Sequence, residues 1–414
     1  MKKLLSNYPA VFVMLVILSC VLLLTQCISP TANNTVVETN DPFNQFAGGA
    51  SCAGCHKEIY ESHIRTGHFL TSQPANHTSV SGSFEPGKNT YHYNSLLHIA
   101  MEKRDSGLFQ VVYYKGVEKK VLPFEIVFGS GGKGQPFGYW LQNGLFQLPI
   151  IYFTVADQWS NSPGFPDKVQ FDRPITSRCL ECHVTYAVKI SAPDDRDEKF
   201  DPAKMILGVD CEKCHGPAKA HVEFQTKYPA EKIGKHIINP TTFYRQQKLD
   251  MCALCHGGNI KKITPSFSFL PGDTLSHFFN SDTLDQAKVN FGTVDAHGNQ
   301  YGLLQSSKCF QQSDTMTCIT CHSPHEKERG NKSIFSQRCM SCHNSDHGNF
   351  CALKVPKEQL QKNCIDCYMP AKPSQSIVIF STGSDVPKAA LFRSHFISVY
   401  PDETKRTLDF INRK

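Results

Sequence analysis

Cys211-Glu-Lys-Cys214-His215 lies near the middle of this 414-residue chain, and its spacing, Cys-x-x-Cys-His, recurs five more times. The other copies are Cys52-Ala-Gly-Cys55-His56, Cys179-Leu-Glu-Cys182-His183, Cys252-Ala-Leu-Cys255-His256, Cys318-Ile-Thr-Cys321-His322 and Cys339-Met-Ser-Cys342-His343. Two thiols three positions apart share one turn of backbone, where both can form thioethers to the vinyl groups of one porphyrin. The next residue then presents its imidazole to the iron. With 18 Cys and 18 His in the chain, a shuffled sequence of this composition would hold only ~0.03 copies. A structural zinc site uses two Cys pairs per ion and needs no His directly after each second Cys. A disulfide framework gives the six His no role. The motifs therefore predict six covalent haem c groups, with His56, His183, His215, His256, His322 and His343 as proximal ligands.

The N-terminus reads as an export segment. Met1-Lys2-Lys3 is a short basic start, an apolar run extends from about Val11 to Leu24, and a polar stretch follows. Covalent haem attachment needs the oxidising, extracytoplasmic side of a membrane, which fits. Leu24-Thr25-Gln26-Cys27 resembles a relaxed lipobox and makes Cys27 a lipidation candidate. Ile17-Leu18-Ser19-Cys20 is a competing frame, and an uncleaved anchor helix is a third reading. Each predicts a membrane-tethered protein in the periplasm or on the outer surface of a bacterium. The net charge of +6 does not point to nucleic acid, because haem propionates consume cationic side chains and no basic run carries interleaved aromatics.

The expected organisation is a signal or anchor over 1–27, a flexible linker over 28–48 and a first haem segment over 49–83. An antiparallel β insertion follows over 84–171, then a multihaem domain over 172–370 and a tail over 371–414 that packs back on it. Five motifs fall between residues 179 and 343, a density that leaves no room for an apolar core per motif. The fold expected is thus a multihaem cytochrome with little regular secondary structure, short helices and loops wrapping the haems. In the insertion, Phe109–Tyr114, Val121–Phe128, Phe137–Leu141 and Phe146–Phe153 read as strands, with turns at Lys115-Gly116 and Gln142-Asn143-Gly144. Gly129–Gly134 lacks the Lys-Ser/Thr ending of a phosphate loop and reads as a loop beside a cofactor. Ser376–Phe380 is a strand candidate in the tail.

Cys364-Ile-Asp-Cys367-Tyr368 has both thiols of a seventh motif but Tyr in the proximal position. The haem is absent, or it is attached with an unusual or vacant proximal position, or the segment is a lesion without function; tyrosinate is an axial ligand in catalase. Cys309 and Cys351 lie outside every motif and read as a disulfide, with two unpaired thiols as the alternative.

Second axial ligands come from the remaining His. A near neighbour of a proximal His generally serves a different haem, so His221 and His325 can each link one haem to the next. His68 can do the same from the end of a helix over Lys57–Thr66. His277, His297 and His395 are weaker candidates, and His77, His92 and His98 read as non-ligands. Met is the other usual partner, but His predominates, so mostly bis-His haems are expected.

Three blocks carry a resemblance. Cys52-x-x-Cys-His-x-x-x-Tyr60 with Thr66-Gly-His68, the Cys-x-x-Cys-His-Gly-Pro block at 211–217 with His221, and the Cys-x-x-Cys-His-x-Pro-His block at 318–325 resemble the cytochrome c-554 type of multihaem cytochrome. That group is related in haem packing to hydroxylamine oxidoreductase and the multihaem nitrite reductases. Phe146-Gln-Leu-Pro149, Pro271–Phe279, Asp295–Gln300 and Ser307–Phe310 resemble a larger bacterial branch, which closes with Cys-x-x-Cys-His-Met-Pro; Tyr368 departs from it. The resemblance implies His68, His221 and His325 as the best distal ligands. The leading functional reading is an electron carrier that passes electrons along closely packed haems between membrane-associated redox partner proteins, the alternative being an oxidoreductase acting on a small nitrogen or sulfur compound at one open haem. Whether the chain is an enzyme is left open by the sequence, and no catalytic residue is identified.

Overall fold

The computed structural model describes residues 41–413, apart from 166–167, 193–194, 196, 259–260, 281–294, 345, 347, 349, 354–355 and 381–385. The export segment, Cys27, most of the linker and His347 lie outside the described residues. Residues 45–414 form one unit, and the following description concerns that unit.

Ten strands occupy residues 72–161: β1 (Ser72–Pro74), β2 (Thr90–His92), β3 (Leu97–Arg104), β4 (Gly107–Tyr114), β5 (Val117–Pro123), β6 (Ile126–Phe128), β7 (Phe137–Leu141), β8 (Gly144–Gln147), β9 (Ile150–Phe153) and β10 (Gln158–Asn161). They form two four-stranded sheets, β2-β3-β4-β5 and β1-β6-β7-β8, and a β9–β10 pair; all pairings are antiparallel. Ile99, Leu122, Val127, Phe137 and Leu148 meet in the core between them. Buried Gln110 stitches β4 to β9: its Nε2 donates to Ile150 O at 2.6 Å and its Oε1 accepts from Ile150 N at 3.2 Å. Lys115 (φ 52°) and Gly116 (φ 74°) turn β4 into β5, and Gln142 (φ 50°) and Asn143 (φ 65°) turn β7 into β8. Left-handed pairs of this kind match the twist of a tight hairpin.

Two expected strands are each broken in two. Val121–Phe128 changes sheets midway: Phe124 N donates to Leu108 O in the first sheet, and Glu125 N donates to Gly138 O in the second. Phe146–Phe153 breaks at Leu148-Pro149, where proline has no N–H for a ladder. The helix expected over Lys57–Thr66 stops at His63.

Beyond the insertion, the elements are short. The helices are α1 (Lys57–His63), α2 (Ser177–His183), α3 (Cys211–His215), α4 (Lys219–Lys227), α5 (Arg245–His256), α6 (Gln300–Gln305), α7 (Lys308–Gln311), α8 (Lys332–Met340), α9 (Lys357–Leu360), α10 (Cys364–Tyr368) and α11 (Pro401–Asn412). Small antiparallel pairs join them: β11 (Val184–Lys189) with β12 (Phe200–Leu207), β13 (Lys261–Lys262) with β14 (Phe279–Asn280), and β15 (Ala371–Phe380) with β16 (Pro387–Arg393). Among the described residues, no helix is long and apolar enough to cross a membrane.

Polar clamps hold distant motifs together. The buried Glu212 carboxylate, inside the third motif, accepts from the backbone N–H of Ala47, Gly48 and Ala218, each at 2.8 Å. Carboxylate bonds of this type are among the strong ones, and they dock the approach to the first motif on the third. Thr71 Oγ1 and Ser72 Oγ donate to His183 O at 3.0 and 2.7 Å, while Val209 N donates to His68 O at 3.0 Å. Ser307 Oγ donates to His395 O at 2.9 Å and accepts from Ile397 N at 2.8 Å, which ties the tail to α7.

Candidate haem centres

Each intact motif is one turn of helix or 3₁₀ turn, so both thiols and the imidazole project from one patch. The His N–H reaches back to the first Cys carbonyl at 2.8 Å in the first motif, 3.0 Å in the fifth and 2.9 Å in the sixth. Motifs two, three and four lie at the C-terminal ends of α2, α3 and α5. All twelve motif thiols are half-buried or exposed, and none is disulfide-bonded.

Hydrogen bonds fix how three of the six motif imidazoles point, and a carboxylate lies near the Nδ1 of a fourth. His215 Nδ1 lies 3.0 Å from Ile238 O, His183 Nδ1 3.4 Å from Thr71 O, and His256 Nδ1 3.3 Å from Gln300 Oε1. His322 Nδ1 lies 3.8 Å from Glu328 Oε2. Holding Nδ1 this way leaves Nε2 to ligate, the arrangement common to metal-bound imidazoles. Burial lowers the pKa of His183, His256 and His322 below the usual histidine range, favouring the neutral form that a metal needs.

Three of these rings face a second imidazole. Centroid separations are 6.2 Å for His68–His256, 6.1 Å for His322–His395 and 6.2 Å for His215–His325. Two imidazoles bound to one metal from opposite sides, each through a bond of about 2 Å, bring their centroids to roughly 6 Å. His68 and His395 are both held at about 4, chiefly by burial. His395 Nδ1 is buried without a hydrogen-bond partner, a cost that ligation at the same ring offsets. The residues thus fit haem at these three motifs.

His63 is a residue the sequence reading passed over. It is buried, neither ring nitrogen has a hydrogen-bond partner, and its ring stands 6.3 Å from that of His325. Its Nε2 is 3.5 Å from Asp210 Oδ1. The available signal was its place seven residues after His56 at the end of α1, five residues before His68.

The other expected ligands are less closely placed. His221 Nδ1 lies 2.8 Å from Lys235 O, and no motif imidazole faces it among the described residues. His297 lies in electrostatic range of both His183 and His256 and packs its ring on Phe392 at 5.1 Å. His277 is exposed and has no ring partner among the described residues. His92 and His98 pair across β2 and β3, with His98 stacked on Tyr113, which accounts for them as sheet residues. No second imidazole faces His56, His183 or His343 among the described residues.

Thiols of different motifs also meet. Cys52 lies beside Cys211, Cys182 beside Cys255, and Cys252 beside Cys318. Cys214 interacts electrostatically with Cys252, and Cys342 with Cys321. Cys309 and Cys351 are both free, correcting the expected disulfide. The two lie in different surroundings: Cys309 interacts with Cys321 and Cys342, whereas Cys351 lies beside Tyr368, Cys364 and Cys367.

Residues 164–216, spanning the second and third motifs, match the family described as cytochrome c554 and c-prime. The crystal structure of the outer cell wall cytochrome OcwA superposes with a TM-score of 0.52 at 15% identity, covering 88% of this chain and 82% of that one. No curated protein matches the chain. With its six motifs, short helices and antiparallel β insertion, the chain is a multihaem c-type cytochrome, and its cofactor is haem c.

Proposed function

We propose that this protein is an exported electron carrier whose haems are mostly bis-His ligated and closely packed. The observation that carries the reading is the set of three imidazole pairs at 6.1–6.2 Å, each joining a motif His to a His from elsewhere in the chain. Haem c supplies reversible one-electron chemistry when bound, and the protein supplies ligation, spacing and burial.

The thiol contacts support an order. Cys52 on Cys211 sets the first motif beside the third, Cys214 near Cys252 sets the third beside the fourth, and Cys252 on Cys318 sets the fourth beside the fifth. Cys321 near Cys342 extends the series to the sixth. Cys182 on Cys255 puts the second motif on a branch at the fourth. The series therefore runs one–three–four–five–six, with two alongside. His221, His277 and His297 are the candidates for the remaining irons. Redox partner proteins, a membrane tether through Cys27 and an extracytoplasmic location follow from the export segment; the outer-wall placement of OcwA agrees with that location.

A second reading has its own observation. His183 is held in position, its pKa is lowered by burial, and no second imidazole faces it among the described residues. An open position there suits an oxidoreductase acting on a small nitrogen or sulfur compound. Electron paramagnetic resonance of the oxidised protein, with and without cyanide, separates the two. A carrier shows low-spin signals that cyanide leaves alone. A high-spin signal that cyanide converts, and that His183→Ala abolishes, would overturn the carrier reading.

A further inference from the structure

The tail closes over Cys364-Ile365-Asp366-Cys367-Tyr368 from several sides. Arg393 on β16 donates through Nη1 to the carbonyl oxygens of Ile365 (2.8 Å) and Met369 (2.9 Å), and its Nη2 pairs with Asp366. The guanidinium thus adds a donor to Ile365 O, which already accepts from Met369 N at 3.1 Å, and serves the Met369 carbonyl just past the end of α10. Lys332 Nζ holds the other Asp366 oxygen at 3.1 Å. Ser394 N donates to Pro370 O at 3.0 Å, and Ser398 N to Tyr368 O at 3.3 Å. Helix α11 then packs against α10.

The two thiols part company. Cys367 lies beside the side chains of Thr404 and Thr407, one turn apart on α11. It is only 7% exposed, the one buried cysteine among those described. Cys364 turns toward α8 and α9: its Sγ lies 3.6 Å from Leu360 O, and its N donates to Ser336 Oγ at 3.3 Å. Tyr368, in the proximal slot, donates its hydroxyl to Cys351 Sγ at 3.9 Å. A covalent haem needs two thiols open to one porphyrin edge and a proximal side chain aimed at the iron. All twelve cysteines of the six intact motifs are at least part-exposed, whereas Cys367 here is buried.

We infer that Cys364–Tyr368 carries no haem, and that the protein's own C-terminal helix α11 fills the place a seventh one would take. The inference rests on reading the six intact motifs as haem sites. Cys339 of the sixth motif interacts with Cys364, so α10 covers one flank of the sixth motif and leaves it as the terminal centre of the series.

Intact mass and peptide mapping of the exported full-length protein, reduced, unfolded and alkylated, test this. The expected result is six haems, with Cys364 and Cys367 recovered as alkylated thiols. A Cys364→Ala/Cys367→Ala variant should keep all six haems and an unchanged absorption spectrum. Seven haems, a haem-linked peptide over 364–368, or loss of one haem in the double variant would overturn the inference. Five or fewer haems with both thiols alkylated would uphold it and strike the six-site reading instead.

Tyr368→His addresses the seat itself. Attachment acts on the unfolded chain, so a haem added there would compete with α11. Either no haem is added, or one is added and residues 401–412 become open to limited proteolysis. A seven-haem variant whose tail stays as protected as the original would refute the claim that α11 occupies the seat.

Discussion

His68→Ala is the sharpest probe of the ligand assignment. His68 faces His256 at 6.2 Å, from a segment nearly two hundred residues away in sequence. The substitution removes the imidazole and leaves Cys252, Cys255 and His256 untouched, so covalent attachment at the fourth motif should persist. One iron in six motifs should pass from low-spin to high-spin, a fall of roughly one sixth in low-spin intensity. The fold should survive, because the lost contacts of a single side chain at this position cost about 1 kcal/mol. Electron paramagnetic resonance and magnetic circular dichroism read the spin state, and intact mass reads the haem count. His68→Met should keep the iron low-spin and raise its potential, since thioether ligation favours the reduced form. His98→Ala is the control: its ring stacks on Tyr113 within a sheet, and all spectra should stay as they were. A His68→Ala protein with six haems and undiminished low-spin signal would refute the pairing and, with it, the use of ring separation to assign ligands.

The remaining predictions probe other parts of the fold. His395→Ala should convert a second iron, and combining it with His68→Ala should double the high-spin signal, because His322 and His256 belong to different motifs; a double variant no different from the singles would refute this. A Cβ on Gly49 would lie 1.8 Å from Asp210 Oδ2, so Gly49→Ala should lower stability by about 1–3 kcal/mol in denaturant titration, with all haems retained. Burial raises the pKa of Glu198, but the Ser177 backbone N–H and hydroxyl and the Lys189 ammonium outweigh it and hold the carboxyl below the ordinary glutamate range. Its stabilisation is therefore present at neutral pH and disappears as pH falls through the folded-state value. Glu198→Gln should cost about 1 kcal/mol at pH 7, with a difference from the parent that shrinks on acidification; a difference that grows in acid would reverse the sign of the argument.

Legibility followed the range of the interactions involved. The six attachment motifs are local, set by a spacing that one backbone turn enforces, and they were readable in full. The hairpin turns at Lys115-Gly116 and Gln142-Asn143 are equally local. The breaks at Phe124-Glu125 and Leu148-Pro149 were less visible, because a run of β-formers does not announce that its chain changes sheets, although Pro149 was a local sign. Distal ligation depends on which turn of backbone another segment brings opposite, and sequence distance says little about that. His395 ranked among the weaker candidates, yet it stands opposite His322 because Ser307 grips its carbonyl and the N–H of Ile397 two residues on. His63 went unassigned because seven residues after a motif is close to any helical spacing, and only its buried, unpartnered nitrogens distinguish it.

The seventh motif joins the local and the long-range parts of the problem. Locally, Tyr368 in place of His removes a ligand but leaves two thiols that look competent. What decides the outcome lies some forty residues away, in α11. That helix had a readable start: Pro401 at its first position, Asp402 and Glu403 in its first turn where the helix dipole favours acids. Its inward face, Thr404, Thr407 and Ile411, recurs every three to four residues, the period of a helix laid on a surface. Two threonines on that face are poor material for an apolar core, but their hydroxyls suit a polarisable thiol, and Cys367 lies beside them. Substituting Thr404 and Thr407 together by Val would keep the shape and remove those hydroxyls. If the helix is held at this seat by packing plus the Arg393 clamp, that variant should lose only about 1–2 kcal/mol and still carry six haems. If instead it releases the tail to protease, the two hydroxyls are the lock and the clamp is secondary.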